Sequence, residues 1–263
     1  HLRALHSGGW PADEHRGEVF FDKDGNIYIA STTQSPDFPA SPGSFQEYSN
    51  GSQEGVVLKF NPDLSELMWG THIGGTKDDA VYSVKPYPDG TIYICGGTTS
   101  KDFPTTAGTL FPSAIGGTAD AFVAHINKDG SQLLQSTYLG TTSYDQSYFI
   151  ETDADGYIYT VGQTQGAYPK VGDVYNIDGG GQYIHKLSPQ LDATIFSMAF
   201  GNGDGTPDIS PTAFLVDKCN QIYVSGWGSA GVGGVSNLST LGLPVTSDAY
   251  QSTTDGNDFY FIV

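Results

Sequence analysis

Positive charge is scarce in this sequence. Eleven lysines and arginines stand against 29 aspartates and glutamates in 263 residues, for a formal net charge of −18, and the only arginines are Arg3 and Arg16. A chain this negative repels phosphate backbones and anionic headgroups, so nucleic acid is excluded as a partner. No apolar run approaches the roughly 18 residues of a spanning helix, and no direct membrane insertion is expected. Cysteine is almost absent too: Cys95 and Cys219 are too few for a disulfide framework or a zinc motif. Charged residues make up 15% of the chain, below the usual quarter, while aromatics reach 13%, a balance that argues against disorder. No segment sustains a 3.6-residue apolar period, so helices are not expected. His1 is not a natural start and Val263 falls inside the apolar run "NDFYFIV", so both ends read as cut.

What is present is glycine, 35 residues of it, and a repeat. Ile-Tyr recurs at 27–28, 92–93, 158–159 and 222–223, with steps of 65, 66 and 64 residues. An acidic turn precedes each copy: "DKDGN", "YPDGT", "DADGY" and "DKCNQ". An aromatic or apolar residue followed by proline comes later, at Phe38-Pro39, Phe103-Pro104, Tyr168-Pro169 and Leu243-Pro244. Landmarks held in register over four units mark a repeat architecture. Each unit supplies short β-branched and aromatic runs bounded by Gly, Asp, Asn or Pro, such as "GEVFFD", "NIYIAST", "GVVLKFN" and "ELMWGTHI"; these read as four strands. Four strands per unit describe a β-propeller blade.

The expected fold is therefore all-β: one propeller region over 1–263, built from four-stranded antiparallel blades of about 65 residues. The blade-like repeats run approximately 8–73, 74–139, 140–200 and 201–263, with 1–7 ("HLRALHS") as a leading fourth strand. The Ile-Tyr run is expected to be the inner strand, and the four blades to be part of a larger ring.

The stretch "GGTADAFVAHINKDGSQLLQSTYLGTTSYDQSYFIETDADGYIYTVGQT", with "TTSKDFPTTAG" before it, resembles the SBBP (seven-bladed β-propeller) repeat. The fourth unit, from "VDKCNQIYVSGWGS" to "NDFYFIV", resembles the propeller region of large Bacteroidetes surface proteins. The resemblance covers essentially the whole chain. It implies a secreted or cell-surface location, a ring of about seven blades, and further domains of the same polypeptide for gliding motility or type IX secretion. The third unit departs from the pattern, since "GQTQGAYPKVGDVY" lacks the Ser-x-Asp-Phe-Pro phrase.

Candidate sites are few. The D-x-D-G turns (Asp22/Asp24, Asp153/Asp155) read as tight hairpins, with glycine supplying positive φ and Asn220 standing in for it in the fourth unit. Asn202, Asp204 and Asp208 in "GNGDGTPD" form a partial Ca²⁺ loop; Phe200 stands where a full loop has Asp, and no Glu closes it. Ca²⁺ is the only cofactor suggested. His125 falls where other units have Lys59 and Lys186, and reads as a solvated strand position. Cys95 reads as a small buried strand residue. Trp227, just before the glycine-rich insertion 228–242, and Tyr168, where the repeat phrase fails, are the candidate binding residues. No catalytic residue can be named. The sialidase-type Asp box is missing, and arginine clusters for a sugar carboxylate are missing as well. The expected function is non-enzymatic: a surface or scaffold module for protein or glycan interaction. The alternatives are a carbohydrate-active propeller enzyme and a calcium-stabilised adhesin.

Overall fold

The computed structural model describes residues 17–35, 37–228 and 238–263. Among them are fifteen strands and no helix. The first sheet contains β1 (Glu18–Phe21), β2 (Ile27–Thr33), β3 (Glu54–Phe60) and β4 (Leu67–Ile73). The second contains β5 (Asp79–Pro86), β6 (Ile92–Thr98), β7 (Asp120–Ile126) and β8 (Leu133–Leu139). The third contains β9 (Asp145–Thr152), β10 (Ile158–Thr164), β11 (Gln182–Leu187) and β12 (Thr194–Phe200). The fourth contains β13 (Ser210–Val216), β14 (Ile222–Trp227) and β15 (Phe259–Ile262). Strands neighbour one another in chain order and pair antiparallel, giving the four blades of a β-propeller. The fourth sheet has three strands among the described residues; the expected leading strand at 1–7 lies outside them, as do residues 229–237 of the insertion.

The first and second strands of each blade are joined by the same turn. Gly25, Gly90 and Gly156 hold φ of 81°, 91° and 86°, and Asn220 takes 63° at the same place. Asparagine tolerates the left-handed region because its short polar side chain bonds locally. The leading aspartate accepts two backbone N–H bonds across the turn. Asp22 Oδ1 takes Asp24 N and Asn26 N at 3.0 and 2.8 Å, and Asp153 and Asp217 repeat the pattern.

In the first three sheets the tyrosine of Ile-Tyr is covered by the third strand, which corrects the reading of His125 as solvated. Lys59 is paired with Tyr28, His125 with Tyr93 and Lys186 with Tyr159 in strand register. The Lys59 ammonium lies 4.9 Å from the Tyr28 ring centre, and that of Lys186 4.6 Å from Tyr159. His125 stacks on Tyr93 at 4.0 Å and bonds Gln135 and Thr91 through its two ring nitrogens. The lysines also reach the turn aspartates, Lys186 to Asp153 at 2.8 Å and Lys59 to Asp22 at 3.7 Å. In the second unit Tyr87 replaces that aspartate, and the lysine's place is taken by His125. The stem of a lysine covers apolar surface while its head finds a carboxylate, so this strand position is a lid over the ring.

The first strands, not the Ile-Tyr strands, form the convergent edge: β1 contacts β5, β5 contacts β9, and β9 contacts β13. A residue bulges out of register at Tyr82, Tyr148 and Thr212. The two tyrosines are buried against each other, ring centres 5.3 Å apart. Bulges bend a strand and re-aim its side chains, here into the space where blades meet. Apolar cores lie between successive sheets: Tyr28, Ala30 and Val57 with Val81 and Val84; Tyr93, Cys95 and Val123 with Ile150; Tyr159, Val161 and Ile184 with Phe214.

Candidate functional site

Two features concentrate chemistry: an open groove between the first and second sheets, and a set of sealed carboxylates at the sheet junctions.

The groove encloses about 490 Å³. One wall is the β1–β2 turn with Asp22, Lys23, Asp24 and Lys59. The other is built from the turns of the second sheet, with Tyr87, Asp89, Lys128 and Asp129. Trp69 and Met68 of β4 lie between them. Trp69 is nearly buried; its indole N–H donates to Lys128 O at 3.1 Å, and its ring meets Tyr28 edge-on at 6.1 Å. Gly130 sits against the indole face, where an added Cβ would come within 2.6 Å of the ring. Met68 is 45% exposed, and Tyr87 is half-buried, edge-on to Tyr93. Four carboxylates and three ammonium groups line the groove. Burial pushes the Asp22 carboxyl up, but bonds from Asn26 and Asp24 N–H, with Lys59, outweigh it and hold the group low. Burial acts on Asp89 in the same direction and is likewise outweighed, here by Thr91. Both are therefore ionised, and the walls offer fixed charges of both signs around an apolar floor. Such a surface suits a polar chain, with hydrogen bonds at the rim and apolar contact at Met68 and Trp69.

The junction acids recur at the heads of third strands and of the first strands that follow them. Glu54 heads β3 and Asp79 heads β5; Asp120 heads β7 and Asp145 heads β9. All four are buried. Glu54 and Asp79 are so close that a Cβ on Gly74 would lie 1.9 Å from Glu54 Oε2 and 2.6 Å from Asp79 Oδ2. Each carboxylate ties down a loop. Glu54 Oε1 accepts from Asn50 N and Gly51 N at 2.6 Å, and Asp79 Oδ2 accepts from Gly75 N at 2.8 Å and Ser100 Oγ at 2.9 Å. Asp145 Oδ2 accepts from Thr141 N at 2.6 Å, and Asp120 from Gly116 N at 3.2 Å. Burial, helped by Glu54, pushes Asp79 up to about 7; burial and Asp145 push Asp120 up to about 6. In the third junction an amide replaces one acid. Gln182, with its amide turned to suit its neighbours, donates to Asp208 Oδ2 at 3.2 Å and accepts from Ile209 N at 3.1 Å.

The sequence candidates fall apart from the groove. Asp208 belongs to the junction set: it is 2% exposed, accepts from Asn202 N at 3.1 Å, and is raised by burial to about 7. Asn202 and Asp204 bond each other, Asn202 Nδ2 donating to Asp204 Oδ2 at 3.1 Å and Asp204 N to Asn202 Oδ1 at 2.8 Å. The Asp208 carboxylate thus turns inward while Asp204 stays in the exposed turn. No group of three or more His, Cys, Asp or Glu placed to hold a metal ion occurs among the described residues. Tyr168 is 7% exposed, stacked on Tyr183 at 4.0 Å, with its hydroxyl 2.9 Å from His185 Nδ1. It fills the place that Phe103 fills against Phe122 in the second unit. Trp227 ends β14, half-buried, opposite Ser210 and Phe259. Cys95 is buried and Cys219 lies exposed in its turn, both as free thiols.

The groove residues Met68, Trp69 and Lys128 escape a motif search because none belongs to a repeated phrase. Tyr87 does carry a signal, since it stands where three units have aspartate.

The sequence matches no protein-family profile and no curated protein. Among solved structures, it is similar to the extracellular domain of a putative hybrid two component system from B. thetaiotaomicron, at 11% identity and a TM-score of 0.35. The match covers 82% of this chain and 29% of that one. The chain thus spans less than a third of that structure's length, and a likeness of this degree carries no inference about function.

Proposed function

We propose that this chain is a non-enzymatic extracellular module, a rigid propeller scaffold that binds a protein or glycan of the cell surface through the groove between its first two sheets. The supporting observation is the division of its acids. Glu54, Asp79, Asp120, Asp145 and Asp208, with raised pKa, are buried at sheet junctions and bonded to loop N–H groups, and Glu18 and Glu151 are raised by burial between first strands, whereas Asp22, Asp89 and Asp129 of the open groove are held low. A general acid needs a raised carboxyl within reach of substrate; the groove presents low ones, set beside lysines and an apolar floor. Rigidity comes from the covered tyrosines and the inter-sheet cores, which let the turns present a fixed surface. The SBBP-like repeat supports a surface location and attachment to further domains of the same polypeptide.

The experiment is an array of surface oligosaccharides and extended peptides probed with the intact chain and with Met68→Glu and Lys128→Glu. Binding of one ligand class, weakened at least ~10-fold by either substitution at unchanged Tm, is the expected result. A ligand bound equally well by both variants, or one turned over, overturns the reading.

A further inference from the structure

Asparagine followed by glycine occurs twice, at Asn50-Gly51 and Asn202-Gly203. Such a pair carries its own nucleophile. The glycine amide nitrogen can close a ring onto the asparagine side-chain amide, and glycine, with no Cβ, leaves that approach unhindered. The structure treats the two pairs in opposite ways. At the first, Gly51 N donates to Glu54 Oε1 at 2.6 Å, as does Asn50 N. Gly51 is also wedged in place, since a Cβ there would lie 2.0 Å from Lys77 O. A nitrogen bonded to a buried carboxylate and fixed against a neighbouring backbone cannot swing onto the side chain beside it.

At the second pair the nucleophile is open. Gly203 is exposed, and its N–H has no hydrogen-bond partner among the described residues. A Cβ there would find nothing nearer than Asp178 O at 3.4 Å. The neighbouring side-chain amide is held at both ends. Asn202 Oδ1 accepts from Asp204 N at 2.8 Å, and Nδ2 donates to Asp204 Oδ2 at 3.1 Å. The first bond places an N–H donor on the oxygen that turns negative when nitrogen adds to Cγ, the role of an oxyanion-hole donor in acyl transfer. The second fixes the orientation of the amide that is displaced.

We propose that Asn202-Gly203 is a self-modification site, where the chain converts asparagine to aspartate and isoaspartate with water as the only co-reactant. Gly203 N gives its proton to water or hydroxide and bonds to Asn202 Cγ; the Cγ–Nδ2 bond breaks and ammonia leaves, giving a succinimide. Water then opens the ring. Cleavage at Cγ yields aspartate, and cleavage at the main-chain carbonyl carbon yields isoaspartate, which carries the chain through Cβ. Nothing is oxidised or reduced. Either product exchanges an amide donor for a carboxylate beside Asp204. Isoaspartate also lengthens the backbone next to Asn202 N, which donates to Asp208 Oδ2 at 3.1 Å. The modification therefore acts on the junction of the third and fourth sheets, where Gln182 meets Asp208.

Peptide mapping by mass spectrometry tests this. The intact chain is incubated in heavy-oxygen water at neutral and at mildly alkaline pH, folded and in urea. In the folded chain the expected result is conversion at Asn202 at least ~10-fold faster than at Asn50. Ammonia is lost, a solvent oxygen is taken up, and the rate rises with pH. In urea the two pairs convert at similar rates, because the bonds that distinguish them are gone. Asn202→Gln, whose longer side chain closes the ring far more slowly, keeps its Tm over the same incubation while that of the parent falls. Conversion at Asn50 as fast as at Asn202 in the folded chain overturns the proposal, as does a folded chain in which Asn202 stays intact while it converts in urea. A parent Tm unchanged after conversion overturns the link to the junction.

Discussion

Two leucines sit where the backbone favours glycine. Leu64 and Leu191 hold φ of 60° and 57° in the turns between third and fourth strands, and Gly130 holds 72° at the same place in the second sheet. A left-handed L-residue costs roughly 1–2 kcal/mol, and glycine's extra unfolded freedom costs roughly 0.5–1 kcal/mol. Leu64 is 58% exposed and has little packing to lose. Leu64→Gly is expected to stabilise the chain by up to about 1 kcal/mol, read as a raised Tm. Leu191 is fully buried, and Leu191→Gly is expected to destabilise by about 2 kcal/mol or more. The contrast shows why these turns were hidden while the first were plain. In "DKDGN" the glycine announces its φ, and in "DKCNQ" asparagine takes the same role. In the later turns packing overrides that preference at Leu191, and neither leucine gives a sign of the left-handed backbone it adopts. Lysine was similarly opaque: Lys59 and His125 look solvated in sequence, and only the register shows each lying over a tyrosine.

At the scale of the element, the strands were legible because apolar runs and turn residues alternate at a fixed step. Their order from the axis was not. First and second strands are equally rich in apolar residues, so composition could not tell that β5 and β9 converge rather than β6 and β10. The bulges at Tyr82 and Tyr148 were equally silent, since one extra residue leaves the composition untouched. The groove depends on such an element-level junction. Trp69 bolts β4 to the turn after β7, through its bond to Lys128 O and its contact with Gly130. Trp69→Phe keeps an aromatic ring and loses the hydrogen bond, for an expected cost of about 1 kcal/mol. Trp69→Ala leaves a cavity between two sheets, and about 3–5 kcal/mol is expected. Urea denaturation of both variants separates the two contributions; equal costs would mean that the indole bond, not the packing, joins the sheets.

For the whole molecule, the junction acids link assembly of the propeller to pH. Their native pKa values lie above those of the unfolded chain, near 4, so the native state holds protons that the unfolded state has released. The stabilisation this gives is complete below about pH 4 and is lost as pH rises through the native values, about 6 for Asp120 and about 7 for Asp79 and Asp208. Three histidines act in the opposite sense: burial lowers His72 and His125, and holds His185 near 3. Their effect is a gain in stability with pH that is half complete at the unfolded imidazole's pKa, near 6.5, and nearly complete about a unit above it. From pH 6.5 upward the loss at the acids outweighs what remains of that gain. Tm is therefore expected to fall between pH 6.5 and pH 8. Repulsion among surface charges predicts the same trend, but salt screens exposed charges far more than buried ones, so the fall must persist at high salt if the junctions cause it. The third junction supplies the control, because Gln182 already stands there in place of an acid. Glu54→Gln keeps an oxygen for Asn50 N and Gly51 N, removes one charge beside Asp79, and is expected to raise stability at pH 8 by about 1 kcal/mol. A Tm that stays level or climbs from pH 6.5 to 8 in high salt would show the native junctions already ionised at pH 6.5, with the loop N–H bonds outweighing the cost of burial.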